Sequence, residues 1–349
     1  MAHSPAPSQQ ASRARRHDAA LSEIALLGIP LEYGAGARGT LMGPAALRTA
    51  GLPETLAGLG YRVKDHGDIA SPQAALAPSL QPLAERCRNV AEIAAWTAAI
   101  HDRAYGMMTS GALPVFMGGD HSLSMGTVSA VARRCGETGK DLVVLWLDAH
   151  SDFNTPATTP SGNMHGMSVA FLCGDRSLAP LLGGRPFPPV PADKVHLFGI
   201  RSIDAQEREA IEDHGIACND MRLIDEFGVS VLMQRMLEGL DPDRTHLHVS
   251  LDVDFLDPQI APGVGTTVPG GATYREAHLV MEMLHDSGLV GSIDLVELNP
   301  FLDERGKSAL LMADLTASLL GRSILLRRDV GTRRPTLQTH GSSAMEVVG

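Results

Sequence analysis

Leu142-Val-Val-Leu-Trp-Leu147 is six apolar residues without a polar break. Successive side chains of a strand point to opposite faces, so a strand with one wet face alternates apolar and polar residues. An unbroken run needs cover on both faces, as in parallel sheets packed between helices. Other short apolar runs read as strands at 23–30, 113–117, 194–201, 245–254 and 292–298. Helical periodicity marks 83–110, 122–134, 204–214, 229–239, 274–287 and 308–327, with Thr273 and Glu276 at capping-box spacing. Strands alternating with helices predict an α/β fold with a parallel sheet and helices on both faces. The glycine-rich stretch from Gly34 to Gly43 reads as a turn-rich loop and lacks phosphate-loop spacing.

The 349 residues are 44% hydrophobic, enough for a sizeable core. With 29 basic and 40 acidic residues the formal charge is −11, which argues against a nucleic-acid surface and favours a cationic substrate or a metal. Cys87, Cys135, Cys173 and Cys218 form no CxxC pair, so neither a disulfide framework nor a zinc knuckle is expected, and a reducing cytoplasm is the default. No apolar run reaches the roughly 20 residues that cross a bilayer, so no membrane association is expected. Residues 1–22, with Arg13, Arg15 and Arg16 among Ser, Gln and Pro, read as a disordered tail, and the polar residues 329–349 as a second tail.

Ligands of parallel sheets bind beyond the carboxyl ends of the strands. That rule selects His121 past the 113–117 run, Asp148 past 142–147, Asp204 past 194–201, Asp252 and Asp254 at the end of 245–254, and Glu297 near the end of 292–298. These residues span 121 to 297, so two domains would split the rim, and a single domain over 23–328 is the simpler expectation.

Asp148, His150 and Asp152 stand at i, i+2 and i+4, which in extended chain puts them on one face; Asp252 and Asp254 repeat the i, i+2 spacing. A lone Asp-x-Asp is ordinarily a loop or a helix cap. Four carboxylates gathered on a buried rim repel one another unless cations join them. Four carboxylates and two imidazoles without a thiolate suit manganese or magnesium better than structural zinc. Two such ions lower the pKa of a shared water to roughly 7. Asp148 and Asp252, each opening a pair, are the expected bridging carboxylates.

The motifs Gly118-Gly-Asp-His-Ser122, Asp148-Ala-His-Ser-Asp152 and Ser250-Leu-Asp-Val-Asp254, continuing to Asp257-Pro258, resemble those of the ureohydrolase (arginase/agmatinase) family from about residue 23 to 327. The resemblance implies a three-layer α/β/α sandwich with a mainly parallel sheet and two Mn2+ per subunit. One ion would be held by His121, Asp148, Asp152 and Asp252, the other by Asp148, His150, Asp252 and Asp254. It further implies cleavage of a guanidino group by a metal-bridging hydroxide, with Asp152 taking its proton, His165 shuttling a proton to the leaving amine, and Glu297 and Thr266 beside the guanidinium. The implied assembly is a homotrimer or homohexamer.

The loop from Phe153 to Gly166 is similar to the arginase form of the family rather than the agmatinase form. L-Arginine differs from agmatine by an α-carboxylate, and Asn154, Thr159, Ser161 and Asn163 offer donors for it. Through the resemblance, Asp204 would accept from the α-ammonium. Asp204-x-x-Glu207 is also capping-box spacing, and Glu207 joins the substrate-binding set through the resemblance. Agmatine or another guanidino amine is the alternative substrate, and a non-catalytic metal-binding homologue the alternative class. A two-metal phosphoesterase would need basic residues where these motifs carry acids.

Overall fold

The structure, a computed structural model, describes residues 23–324. Both expected tails and the last residues of the expected 308–327 helix lie outside them. The described residues build one sheet of eight strands: β1 Glu23–Ile29, β2 Arg62–Asp68, β3 Leu113–Gly118, β4 Asp141–Leu147, β5 Val195–Ile200, β6 Ala217–Asp220, β7 Thr245–Asp252 and β8 Val290–Val296. Their order is β2-β1-β3-β8-β7-β4-β5-β6, and every pairing is parallel. The sheet is therefore wholly parallel, where the resemblance implied a mainly parallel one.

The principal helices are α1 Gly43–Thr49, α2 Leu52–Gly58, α3 Val90–Met108, α4 Ser124–Thr138, α5 Ala205–His214, α6 Met221–Leu237, α7 Tyr274–Ser287 and α8 Lys307–Leu319. Two cores result, one on each sheet face. Ala25, Leu27, Phe116, Val144 and Trp146 pack with Ile100 of α3, Val128 of α4 and Ile211 of α5. Ile24, Val115, Leu145 and Val249 pack with Leu47 of α1, Leu56 of α2, Leu232 of α6, Val280 of α7 and Leu315 of α8. The period of two along each strand sends alternate residues to opposite cores, and the apolar run at 142–147 fills both.

The central strands match the sequence reading and the edges do not. Strands β2 (Arg-Val-Lys-Asp-His-Gly-Asp) and β6 were not expected, because an edge strand borders solvent and carries little apolar signal. Helices α1 and α2 were not anticipated either; each carries a proline in its first turn, where the missing N–H costs nothing. The expected 83–110 helix is interrupted by Asn89, whose φ of 50° is left-handed. The expected 229–239 helix starts earlier, at Met221, and is kinked at Gly228, where φ is 74°. Thr273 and Glu276 do form the capping box of α7.

Candidate metal centre

Five neighbouring strands, in the sheet order β3-β8-β7-β4-β5, end on the same rim and deliver the motif residues. The register sets Leu147 beside Leu251 and Asp252 beside Val296, so the chain segments after β4, β7 and β8 emerge together. The extended i, i+2, i+4 geometry is not what gathers the ligands. Strand β4 stops at Leu147, Asp152 has a left-handed φ of 50°, and Val253–Phe255 is a turn of 3-10 helix. Backbone bonds hold these bends: Asp148 Oδ1 accepts from His150 N at 2.6 Å, Asp252 Oδ1 from Asp254 N at 2.7 Å, and Asp254 Oδ1 from Ala149 N at 3.0 Å.

Two groups of residues bring metal-ligand atoms within 4.8 Å of one another: His121, Asp148 and Asp252, and Asp148, His150 and Asp254. In the first, His121 Nδ1 lies 3.0 Å from Asp148 Oδ2, 3.0 Å from Asp252 Oδ2 and 3.3 Å from Asp152 Oδ2. In the second, His150 Nδ1 lies 3.1 Å from Asp254 Oδ2 and 3.5 Å from Asp148 Oδ1. Asp148 thus offers one oxygen to each imidazole. Asp252 points Oδ2 at His121 and belongs to the first group alone, so of the two carboxylates expected to bridge only Asp148 faces both imidazoles.

The donor chemistry fits divalent cations. His121 Nδ1 is buried and makes no hydrogen bond, although three carboxylate oxygens surround it. Burial disfavours the charged ring of His121, yet Asp148, Asp152 and Glu297 outweigh it and push its pKa up to about 9. Burial likewise opposes charge on His150, but Asp148 and Asp254 push it up to about 12. Burial, with Asp148 next, holds Asp152 well above the usual carboxylate range; burial, with Asp254 and Asp148, does the same to Asp252. Asp148 goes the other way: burial is outweighed by His121 and His150. So much negative charge is compensated only by protons or by cations, and a cation between the facing atoms relieves every one of these conflicts.

The first imidazole is further braced. Its ring stacks on Trp146 with centroids 3.9 Å apart, and its Nε2 meets Ser250 Oγ at 2.8 Å. That bond fixes which nitrogen faces the carboxylates. Trp146 and Ser250 carried no assigned role in the sequence, although an indole inside an aliphatic run was a signal. Asp120, within the Gly-Gly-Asp-His motif but unassigned, is fully buried, with Oδ2 accepting from Gly34 N at 2.8 Å.

An open cavity lies over the second group. Its walls include Asp148, His150, Asp152, Asn154, His165, Asp204, Glu207, Asp252, Asp254 and Thr266 of the expected set, together with Gly166, Ser202 and Ile203, which were not singled out for it. Thr266 Oγ1 donates to Asp254 Oδ2 at 2.9 Å. Asn154 Nδ2 donates to Asp204 Oδ2 at 3.0 Å. Glu207 is buried: its Oε2 accepts from Asp204 N at 3.2 Å, closing the capping box of α5, and its Oε1 accepts from Phe153 N at 2.8 Å. Thr159, Ser161 and Asn163 do not line the cavity, and the Thr159 and Ser161 hydroxyls accept from Gly162 N and Asn163 N within their own loop. Glu297 sits behind the wall: its Oε1 accepts from His121 N at 2.7 Å and meets His165 Nδ1 at 2.9 Å. Its φ of 63° is a second left-handed conformation at a candidate position.

A wholly parallel α/β sandwich whose carboxyl rim carries two linked acid–imidazole pockets is the class of protein that fold and site define. The chain belongs to the Arginase family, whose model matches residues 22–321. It is similar to the arginase of Brucella melitensis, 51% identical over 305 residues that cover 86% of this chain and 97% of the relative. It is also similar to the arginase of Agrobacterium fabrum, 50% identical over 320 residues covering 91% and 96%. The native structure of arginase from Bacillus caldovelox matches with a TM-score of 0.79 at 38% identity, covering 87% of this chain and all of that one. Among the described residues no helix is long and apolar enough to cross a membrane.

Proposed function

We propose that this protein hydrolyses the guanidino group of L-arginine to L-ornithine and urea at a two-manganese centre. The first ion would be held by His121, Asp148, Asp152 and Asp252, and the second by Asp148, His150, Asp252 and Asp254. The observation that carries this reading is Asp148, whose two oxygens face two different imidazoles at the floor of one cavity. Family membership and relatives named as arginases support the substrate. When bound, the ions supply a water acidified to roughly pKa 7 and stabilise developing charge.

The chain's own residues supply the rest. Asp152, whose Oδ2 lies 3.3 Å from His121 Nδ1 on the cavity wall, takes a proton from the nucleophile on a carboxylate oxygen. His165 commits Nδ1 to Glu297, which leaves Nε2 to deliver a proton to the departing amine. Glu297 keeps that ring oriented and, being buried, supplies negative charge beneath a guanidinium. The α-ammonium of the substrate pairs with the exposed Asp204, whose backbone N–H is fixed by Glu207. The Asn154 amide reaches the α-carboxylate, with Thr159, Ser161 and Asn163 shaping the loop that presents it. Thr266 holds Asp254 at the guanidinium side of the cavity.

The proposal extends to one catalytic domain over 23–328, assembled as a homotrimer or homohexamer in the cytoplasm. The test is urea release from arginine and from agmatine, with and without added Mn2+. Manganese-dependent turnover favouring arginine is expected. Faster turnover of agmatine overturns the substrate, and no urea from any guanidino compound in the manganese-loaded protein overturns the activity.

A further inference from the structure

Arg201 stands one residue past β5, and nothing in the chemistry above uses it. Its half-buried guanidinium points into the turn after β7. Nη2 donates to the carbonyls of Asp254 at 2.5 Å, Val268 at 2.8 Å and Leu256 at 3.3 Å. Nη1 donates to those of Gly199 at 3.3 Å and Phe255 at 3.4 Å, and Nε to Val268 at 3.1 Å. The backbone N–H of the same residue donates to Ala149 O at 2.9 Å. Gly271 makes room for this arrangement, since a Cβ there would stand 2.7 Å from Nη2.

The segments tied together have one thing in common. The guanidinium holds 254–256, which carries Asp254, and Val268, which closes the loop that carries Thr266; Ala149, between Asp148 and His150, is held by the backbone N–H, whatever side chain stands at 201. These are the residues around the accessible pocket. The sealed pocket is braced by other groups: Ser250 on the His121 ring, Glu297 on its N–H and Ser168 on its carbonyl. A half-buried cation that spends its donors on backbone carbonyls, while the charges of Asp254, Asp148, Asp257 and Asp252 act on it without a side-chain hydrogen bond, is shaping the chain rather than neutralising an acid.

We propose that Arg201 is a positioning residue for the accessible ion, its guanidinium fixing Asp254 and the Thr266 loop as one unit and leaving the His121 pocket to its own supports; the proposal rests on the two-ion reading above. The planar fork is essential to the role. Lysine keeps the charge but offers three donors on one compact head, which cannot span carbonyls from Gly199 to Val268.

The experiment titrates Mn2+ into the metal-free full chain and into Arg201→Lys by calorimetry, alongside electron paramagnetic resonance and the melting temperature without metal. The wild-type chain should bind two ions. Arg201→Lys should bind the first ion unchanged and the second about 10- to 100-fold more weakly, the usual reach of groups that orient ligands. At two equivalents the spectrum of a coupled ion pair should persist in the wild type and give way to that of isolated ions in the variant. Excess Mn2+ should restore kcat. Wild-type affinity for both ions in Arg201→Lys overturns the proposal. So does an equal loss of both together with a lower melting temperature, because that marks a general fold defect. Fewer than two ions in the wild-type chain overturns the two-ion reading and the proposal with it.

Discussion

The two candidate ion pockets meet at Asp148, and their imidazoles have different surroundings. The His121 ring is 1% exposed, stacked on Trp146 and flanked by three carboxylates. The His150 ring is 29% exposed, faces the cavity and meets two carboxylates. One pocket is set by the packed end of the sheet, the other by loops after β4, β5 and β7. Burial favours tight holding in the first, and access to solvent favours exchange and substrate contact in the second. The comparison teaches that one rim can set a fixed charge and a working charge side by side, with one carboxylate, Asp148, facing both imidazoles.

The change with the largest expected effect removes what the pockets share. Asp148→Asn keeps the shape but withdraws a negative charge from both imidazoles at once. Both ions should weaken, and turnover should fall roughly a thousandfold or more, since metal stabilisation of a transition state amounts to several kcal/mol at about 1.4 kcal/mol per tenfold. Metal content after gel filtration, measured with urea release, checks it. Two tightly held ions with full activity would show that Asp148 does not link the pockets.

A smaller effect separates the wall from the floor. His165→Ala should lower kcat by about 100-fold or more, the range of general acid–base assistance, with metal content unchanged. Its pH dependence can be signed. Burial opposes charge on His165, but Glu297 and then Asp120 raise its pKa above 6.5, so the ring's stabilising charge is fully present below 6.5 and is lost as pH rises through the raised value. Burial opposes charge on Glu297, but His165 lowers its pKa below 4.5, so its share is present above 4.5 and is lost as pH falls through the lowered value. Glu297→Gln should therefore move the alkaline limb of the kcat profile to lower pH. A limb that stays in place would mean that His165 is not the group whose proton is used.

The sealed pocket was more legible in the sequence than the open one. An apolar run ending in Asp148 and another ending in Asp252 already implied buried strand ends, and their residues sit where that rule puts them. The open pocket depends on features that carry no periodic signal. Asp152 on the cavity wall and Glu297 behind it stand on left-handed backbone, which residue type does not announce. The donors Thr159, Ser161 and Asn163 are close in sequence to Asn154, but the loop turns them away from the cavity. Strands β2 and β6 escaped notice for a related reason: an edge strand is specified by its neighbour's hydrogen bonds more than by its own side chains. Interior strands write their environment into composition, whereas loops write theirs into contacts that form after folding.

The smallest expected effect sharpens the contrast most, because it touches one pocket alone. Thr266 lies on a partly exposed loop and donates a single hydrogen bond to Asp254 Oδ2, at 2.9 Å. Valine has nearly the same volume and no hydroxyl, so Thr266→Val deletes that bond without opening a cavity. One such bond is worth about 1 kcal/mol, roughly fivefold in affinity. The loss should fall on the second ion, because Asp254 offers its Oδ2 to His150 and makes no approach to His121. Stepwise Mn2+ titration of Thr266→Val should leave the tighter event in place and shift the weaker one. A shift of the tighter event instead would mean that the open pocket is the one that fills first, and the assignment of fixed and working charge would have to be exchanged.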